Sequence, residues 1–215
     1  MVSSHFRNNI DLGKDMFNDC RGKKIVFLAH CVLNQNAKLD RCAHHQGAIT
    51  KLINVLLENG IGIVQLECPE MLYLGLDRES DSASISNIES EDTRIADRMA
   101  EHGAQAIVDR IARNTVQQIV DYQKNGFIVL GLIGINGSPT CGVETTWANG
   151  HEPLGQGVLI SSISRHLRDA GQVVPMRGIK ALDVDHAVET ILEIIHASGA
   201  PPSAGGPLIS PEDSS

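Results

Sequence analysis

At 215 residues, with 42% hydrophobic and 20% charged side chains, the chain has room for one domain with a substantial core, and with only 3% aromatics that core is expected to be aliphatic. A net charge of −8 with no run of Lys or Arg argues against a nucleic-acid partner. No apolar stretch nears the roughly 20 residues of a membrane helix, and Met1 to Gly22 lacks the apolar segment of a secretory signal. The expectation is a cytoplasmic monomer or homodimer that acts on a small molecule, with neither nucleic acid nor membrane as partner.

Residues 1–22 form a polar leader. The run Lys24-Ile25-Val26-Phe27-Leu28-Ala29 predicts a first buried strand, apolar throughout after two lysines. A polar loop follows. Ala48, Ile49, Leu52, Ile53, Leu56 and Leu57 then recur at helical spacing, and Asn59-Gly60 supplies a C-terminal cap. Ile61 to Leu66 predicts a second strand and Phe127 to Ile133 a third. Between these two strands lies a serine-rich loop from Arg78 to about Ser90. An amphipathic segment follows it, carrying Ile95, Met99, Ile107, Ile111 and Ile119, with breaks expected at Gly103 and at Asn114-Thr115. After the third strand comes a Gly-rich loop, a helix over Val158 to Leu167, a short fourth strand at Val173-Val174-Pro175, and a last helix from Val184 to Ile195. Residues 198–215, rich in Pro, Gly and Ser, are expected to be disordered. Strands that are apolar throughout and alternate with helices imply an α/β fold. We expect a single Rossmann-like domain over 23–197, with a mostly parallel sheet of four or five strands and helices on both faces.

The five cysteines, Cys20, Cys31, Cys42, Cys68 and Cys141, are an odd number and argue against a disulfide framework. Cys31 and Cys68 each follow a predicted strand by two residues, and Cys141 lies in the loop after the third. In an open parallel sheet ligands bind at the carboxyl ends of the strands, so three strands deliver a thiol to one edge. Cys20 in the leader and Cys42, at the opening of the first helix, read as inert. Soft thiolates select iron–sulfur clusters, zinc or Cu(I). The short Cys-x-x-Cys spacing of structural zinc sites is absent, and three widely spaced ligands suit a cube-shaped cluster better. Such a cluster normally takes four cysteines, so three would leave one iron free for a substrate. Cys68-Pro69-Glu70 sets a proline directly after a cysteine, as in some ferredoxin motifs. Gly137-Ser138-Pro139-Thr140-Cys141-Gly142 is a turn whose N–H groups suit cluster sulfurs.

These segments together resemble the 2-thiouracil desulfidase family, whose pattern opens Cys-Leu-Leu-Gly and Arg-Tyr-Asp-Gly, continues Cys-Pro-Glu and closes Ser-Pro-Ser-Cys-Gly. The matching stretches are Cys31-Val32-Leu33-Asn34 with Lys38-Leu39-Asp40-Arg41, then Cys68-Pro69-Glu70 with Gly75-Leu76 and Arg78, and Ser138-Pro139-Thr140-Cys141-Gly142 with Gly155 and Gly157 downstream. Asn34, Lys38, Leu39 and Arg41 depart from the pattern, which marks a divergent relative. The resemblance implies a 4Fe–4S cluster on Cys31, Cys68 and Cys141 with the fourth iron open, and a thiolated heterocycle of 2-thiouracil type losing its sulfur as sulfide.

For water to attack a polarised thiocarbonyl carbon, a base must take its proton. Glu70 is the first candidate, against the plainer role of a helix-capping carboxylate, and Glu67 is the reserve. Ser138 is a candidate to bind substrate or relay a proton, or else shapes the turn before Pro139. Asp40 reads as a cap of the first helix, with His44 and His45 in its opening residues. His30 reads as a packed histidine, and Glu144 and Trp147 as pocket-lining or packing residues. Two other readings use the same three cysteines: a non-catalytic iron–sulfur module for sulfur carriage or redox, and a zinc-dependent hydrolase.

Overall fold

The structure is a computed structural model that describes residues 19–80 and 87–197. The expected tail and all but the last residues of the expected leader lie outside the described residues. The chain runs β1 (Lys24–Leu28), α1 (His30–Leu33), a 3-10 turn (Gln35–Ala37), α2 (Thr50–Glu58), β2 (Gly62–Gln65), α3 (Pro69–Leu74), α4 (Ile88–Met99), α5 (His102–Lys124), β3 (Ile128–Ile135), α6 (Val158–Asp169), β4 (Met176–Ile179) and α7 (Val184–Ala197).

The four strands form one parallel sheet in the order β2-β1-β3-β4. In register, Leu28 faces Gln65 on one side and Ile133 on the other, while Leu132 faces Met176. The chain first steps from β1 to β2 and then crosses back past β1 to β3, so the connections diverge between β1 and β3. With right-handed crossovers, that reversal sends helices to opposite faces. One layer packs α2 against α7, and the other packs α5 against α6 and α3. Phe27, Leu132 and Ile133 from the sheet are fully buried among Leu52 and Leu56 of α2, Ile111 of α5, Ile160 of α6 and Ile191 of α7. This core is almost wholly aliphatic, as the composition requires.

Three local expectations are corrected. The first long helix begins at Thr50, so Cys42, His44 and His45 lie in a loop and the exposed Asp40 caps nothing there. Gln35 explains the loop: it is 1% exposed, and its side chain satisfies the carbonyl of Cys31 and the N–H of His44, which fixes an irregular path. The amphipathic segment breaks at Ala100-Glu101, and Asn114 and Thr115 lie inside one continuous helix. Thr115 is buried there, and burial overrides its modest helix propensity. Gly103 sits in the first turn of α5, where a Cβ would come within 2.9 Å of the Tyr73 ring. The fourth strand begins at Met176, because Val173 is 91% exposed and Pro175 has no N–H to give a ladder.

Candidate functional site

Each of the three cysteines leaves the sheet at a carboxyl end. Cys31 lies in α1, directly after β1. Cys68 is the residue before α3, with Pro69 at the first helical position, where a missing N–H costs nothing. The proline after the cysteine is therefore a helix start. Cys141 sits in the turn after β3. All three line one cavity of about 280 Å³, together with Glu70 and Ser138. It lies at the point where the connections diverge, the expected ligand position in a sheet of this kind.

The Cys141 turn is closely built. Ser138 Oγ accepts from the N–H of Thr140 (3.2 Å) and of Cys141 (3.0 Å), so this serine shapes the turn and also faces the cavity. The N–H of Ile135 donates to the Cys141 carbonyl at 2.8 Å and that of Gly142 to the Ser138 carbonyl at 3.1 Å. Asn136 Oδ1 accepts from three successive N–H groups, those of Val143, Glu144 and Thr145. Its amide donates to Glu144 Oε2 at 2.8 Å, and that oxygen also accepts from the N–H of Gly178 in β4. Glu144 thus ties the loop to the sheet and does not line the cavity. Two glycines permit the packing. A Cβ at Gly134 would stand 2.2 Å from the Cys141 carbonyl oxygen, and one at Gly157 would stand 2.5 Å from the Thr140 carbonyl carbon. The Thr140 hydroxyl, fully buried beside Cys141, has no partner among the described residues.

Arg78 ties the second cysteine to the carboxylate. Its guanidinium is 3% exposed. Nη2 donates to the Ala37 carbonyl (2.7 Å) and lies 3.5 Å from Cys68 Sγ, Nη1 donates to the carbonyls of Gly75 and Leu76, and Nε lies 3.4 Å from Glu70 Oε2. Arg78 itself has a left-handed backbone, φ 58°. Glu67 points elsewhere: it meets Arg110 of α5 through both oxygens at 3.2 Å and is not part of the cavity wall.

Burial pushes all three thiols up. Cys68 rises to about 12 through burial first and the nearby Glu70 second, with Arg78 opposing. Burial likewise raises Cys31, against Lys38. Cys141 is raised by burial and then by the charges of Cys31 and Cys68. Three ionised thiols in this space are mutually unfavourable unless something positive stands among them.

His30 lines the cavity and its Nδ1 lies 3.3 Å from the Leu66 carbonyl. Trp147 also lines it, pinned to α4 by a 2.9 Å bond from Nε1 to Thr93 Oγ1. Sequence reasoning missed Asp92, Gln35 and Asn136. Asp92 on α4 sits at helical spacing with Ile88, Glu91 and Ile95, and all four face the cavity. That period was visible, but nothing local distinguished it from a solvated helix face. Cys42 lines the same cavity. Among the described residues, no group of three or more His, Cys, Asp or Glu side chains could hold a metal ion.

The fold and cavity define a parallel α/β protein with a thiol-lined pocket at its topological switch point. Among the described residues, no helix is long and apolar enough to cross a membrane. No family model matches the chain. The uncharacterized protein MJ0003 of Methanocaldococcus jannaschii is 31% identical to it over 123 residues, which are 57% of this chain and 70% of that protein. The chain belongs to the family of that archaeal protein. A solved structure, the 4Fe-4S-dependent thiouracil desulfidase TudS, is similar over 82% of this chain and 98% of that one, with 16% identity and a TM-score of 0.47. A likeness at that level carries no argument about this chain.

Proposed function

We propose that the chain is an iron–sulfur-dependent desulfidase, removing sulfur as sulfide from a small thiocarbonyl compound of 2-thiouracil type. The observation that carries the reading is the convergence of Cys31, Cys68 and Cys141 on one cavity that also holds Glu70 and Ser138. The motif resemblance of the same segments supports it. The donor set fits the group: three soft thiols, a guanidinium against one of them, and a buried hydroxyl beside another. Cys31, Cys68 and Cys141 would hold a 4Fe–4S cluster with one iron open. When bound, such a cluster supplies a Lewis acid for the thiocarbonyl sulfur.

The protein's own residues do the rest. Glu70 takes the proton of a water as its oxygen bonds to the thiocarbonyl carbon. Arg78 fixes the orientation of Glu70 and donates to Cys68 Sγ. Ser138 keeps its own O–H free to donate to the substrate, because its oxygen serves as the acceptor for the turn. In sum, C=S and water give C=O and hydrogen sulfide, with no net oxidation or reduction. A cavity of about 280 Å³, at the small end of ligand sites, suits a single-ring substrate.

Purification without oxygen tests the reading. It expects about four irons per chain and sulfide release from 2-thiouracil. A folded, iron-free protein that still releases sulfide would end it. The Glu70→Gln variant separates an enzyme from a sulfur-carrier or redox module, since only the enzyme loses turnover while keeping its iron.

A further inference from the structure

Four carboxylates line the cavity: Glu70, Glu91, Asp92 and Glu152. Three have their own cation. Glu70 has Arg78 at 3.4 Å, Glu91 has Arg94 at 2.7 Å and Glu152 has Lys180 at 2.6 Å. Asp92 has no ion pair and accepts no hydrogen bond among the described residues. Asp92 is partly buried on α4. The charges that bear on it are Glu70, Glu152 and Glu91, which repel it, and Lys38, which attracts it. An unmatched polar group on a cavity wall is costly unless a ligand completes it.

The neighbours say what the ligand offers. Trp147 is the only tryptophan of the chain, and its bond to Thr93 places an aromatic wall beside the residue next to Asp92 in sequence. Ile88 and Ile95 flank Asp92 on the same helix face. The thiols and Glu70 enter from the strand ends and α3, whereas α4 contributes the wall made by Ile88, Glu91, Asp92 and Ile95. In a flat, neutral ring of 2-thiouracil type an N–H flanks the reacting carbon on either side, and Asp92 is the cavity carboxylate left to bind one of them. A carboxyl group is the natural complement of an adjacent N–H and C=O pair.

We infer that Asp92 is the specificity-determining residue of this cavity, holding the N–H edge of a planar, uncharged heterocycle that rests against Trp147. The inference rests on the desulfidase reading for its choice of ring. Burial, followed by the charge of Glu70, pushes the Asp92 carboxyl up to about 6, which gives it a share of the neutral form able to donate as well as accept.

The test uses full-length, anaerobically purified protein and the fluorescence of Trp147 as the binding signal. Uracil, which has the ring edge and no sulfur, is expected to bind the wild type. 1,3-Dimethyluracil, with both N–H groups blocked, is expected to bind about tenfold more weakly or worse. Asp92→Ala is expected to lose the same factor for uracil and none for the dimethyl ring. Comparison of the two rings on the wild type keeps the test valid even if the variant folds poorly. Absence of uracil binding, equal binding of both rings by the wild type, or undiminished uracil binding by Asp92→Ala overturns the inference. Sulfide release from 2-thiouracil by Asp92→Ala at unchanged KM also overturns it and leaves the desulfidase reading standing. Asp92-dependent uracil binding without any sulfide release upholds the inference and removes that reading.

Discussion

Arg78 holds its Nη2 atom 3.5 Å from the sulfur of Cys68 while bonding the Ala37 carbonyl with the same nitrogen. One buried guanidinium therefore fixes the second cysteine, the loop after α1 and the Glu70 carboxylate together. Replacing it by Met leaves Glu70 and three carbonyls without their donor. We expect Arg78→Met to lose about 3–5 kcal/mol of stability, read by urea unfolding. Arg78→Lys should recover only a fraction, since a single ammonium cannot reproduce the planar fork. A lysine variant as stable as the wild type would show that only the charge matters.

Glu70→Gln keeps an acceptor for Arg78 Nε and removes the basic oxygen. Sulfide release should fall by about 10²–10⁴-fold, with iron content unchanged. Glu67→Gln is expected to leave turnover intact, because its partner is Arg110 on the flank of α5. A single-turnover assay on both variants checks the pair.

Ser138→Ala removes the oxygen that accepts from two N–H groups, including that of Cys141. The expected cost is about 1–3 kcal/mol, and the freed turn should raise the alkylation rate of Cys141. Ser138→Thr, which restores the oxygen, should return both values toward the wild type. An alanine variant with unchanged unfolding and unchanged Cys141 reactivity contradicts this role.

Asp92 gives a pH signature of its own. Its carboxyl is raised, by burial and then by Glu70, from 3.8 to about 6, so the folded state favours the protonated form. The resulting contribution is fully present below about pH 4 and is lost as pH rises through about 6. Asp92→Asn should therefore match the wild type near pH 4. At pH 8 it should be more stable by about 1–2 kcal/mol, allowing for the part of the group that water reaches. Thermal unfolding at the two pH values decides it, and a variant equally destabilised at both would rule out the repulsion.

The strands and the placement of the three cysteines after them were legible in the sequence, because apolar runs mark the strands of a parallel sheet and each cysteine follows one of them. Pro69 and Gly157 also carried visible signals. What the sequence hid was set by tertiary partners. Gln35 reads as an ordinary polar loop residue until its amide is seen bridging Cys31 and His44. Arg78 reads as a charged loop residue, yet its guanidinium is nearly dry. Asn114 and Thr115 read as a break, but packing keeps α5 intact through them. Asp92 was the hardest to see, since its isolation depends on cations that belong to its neighbours.

The strand order has a consequence for how the site comes into being. Because β1 lies between β2 and β3, no hairpin or local turn brings any two of the three thiols together. Cys31 meets Cys68 only after β2 has docked along one side of β1, and Cys141 joins only after the long α5 crossover lets β3 dock along the other. Such non-local pairings form late. The thiols of a nascent chain are therefore brought together strand by strand, and assembly of the complete set reports that both β2 and β3 have docked on β1.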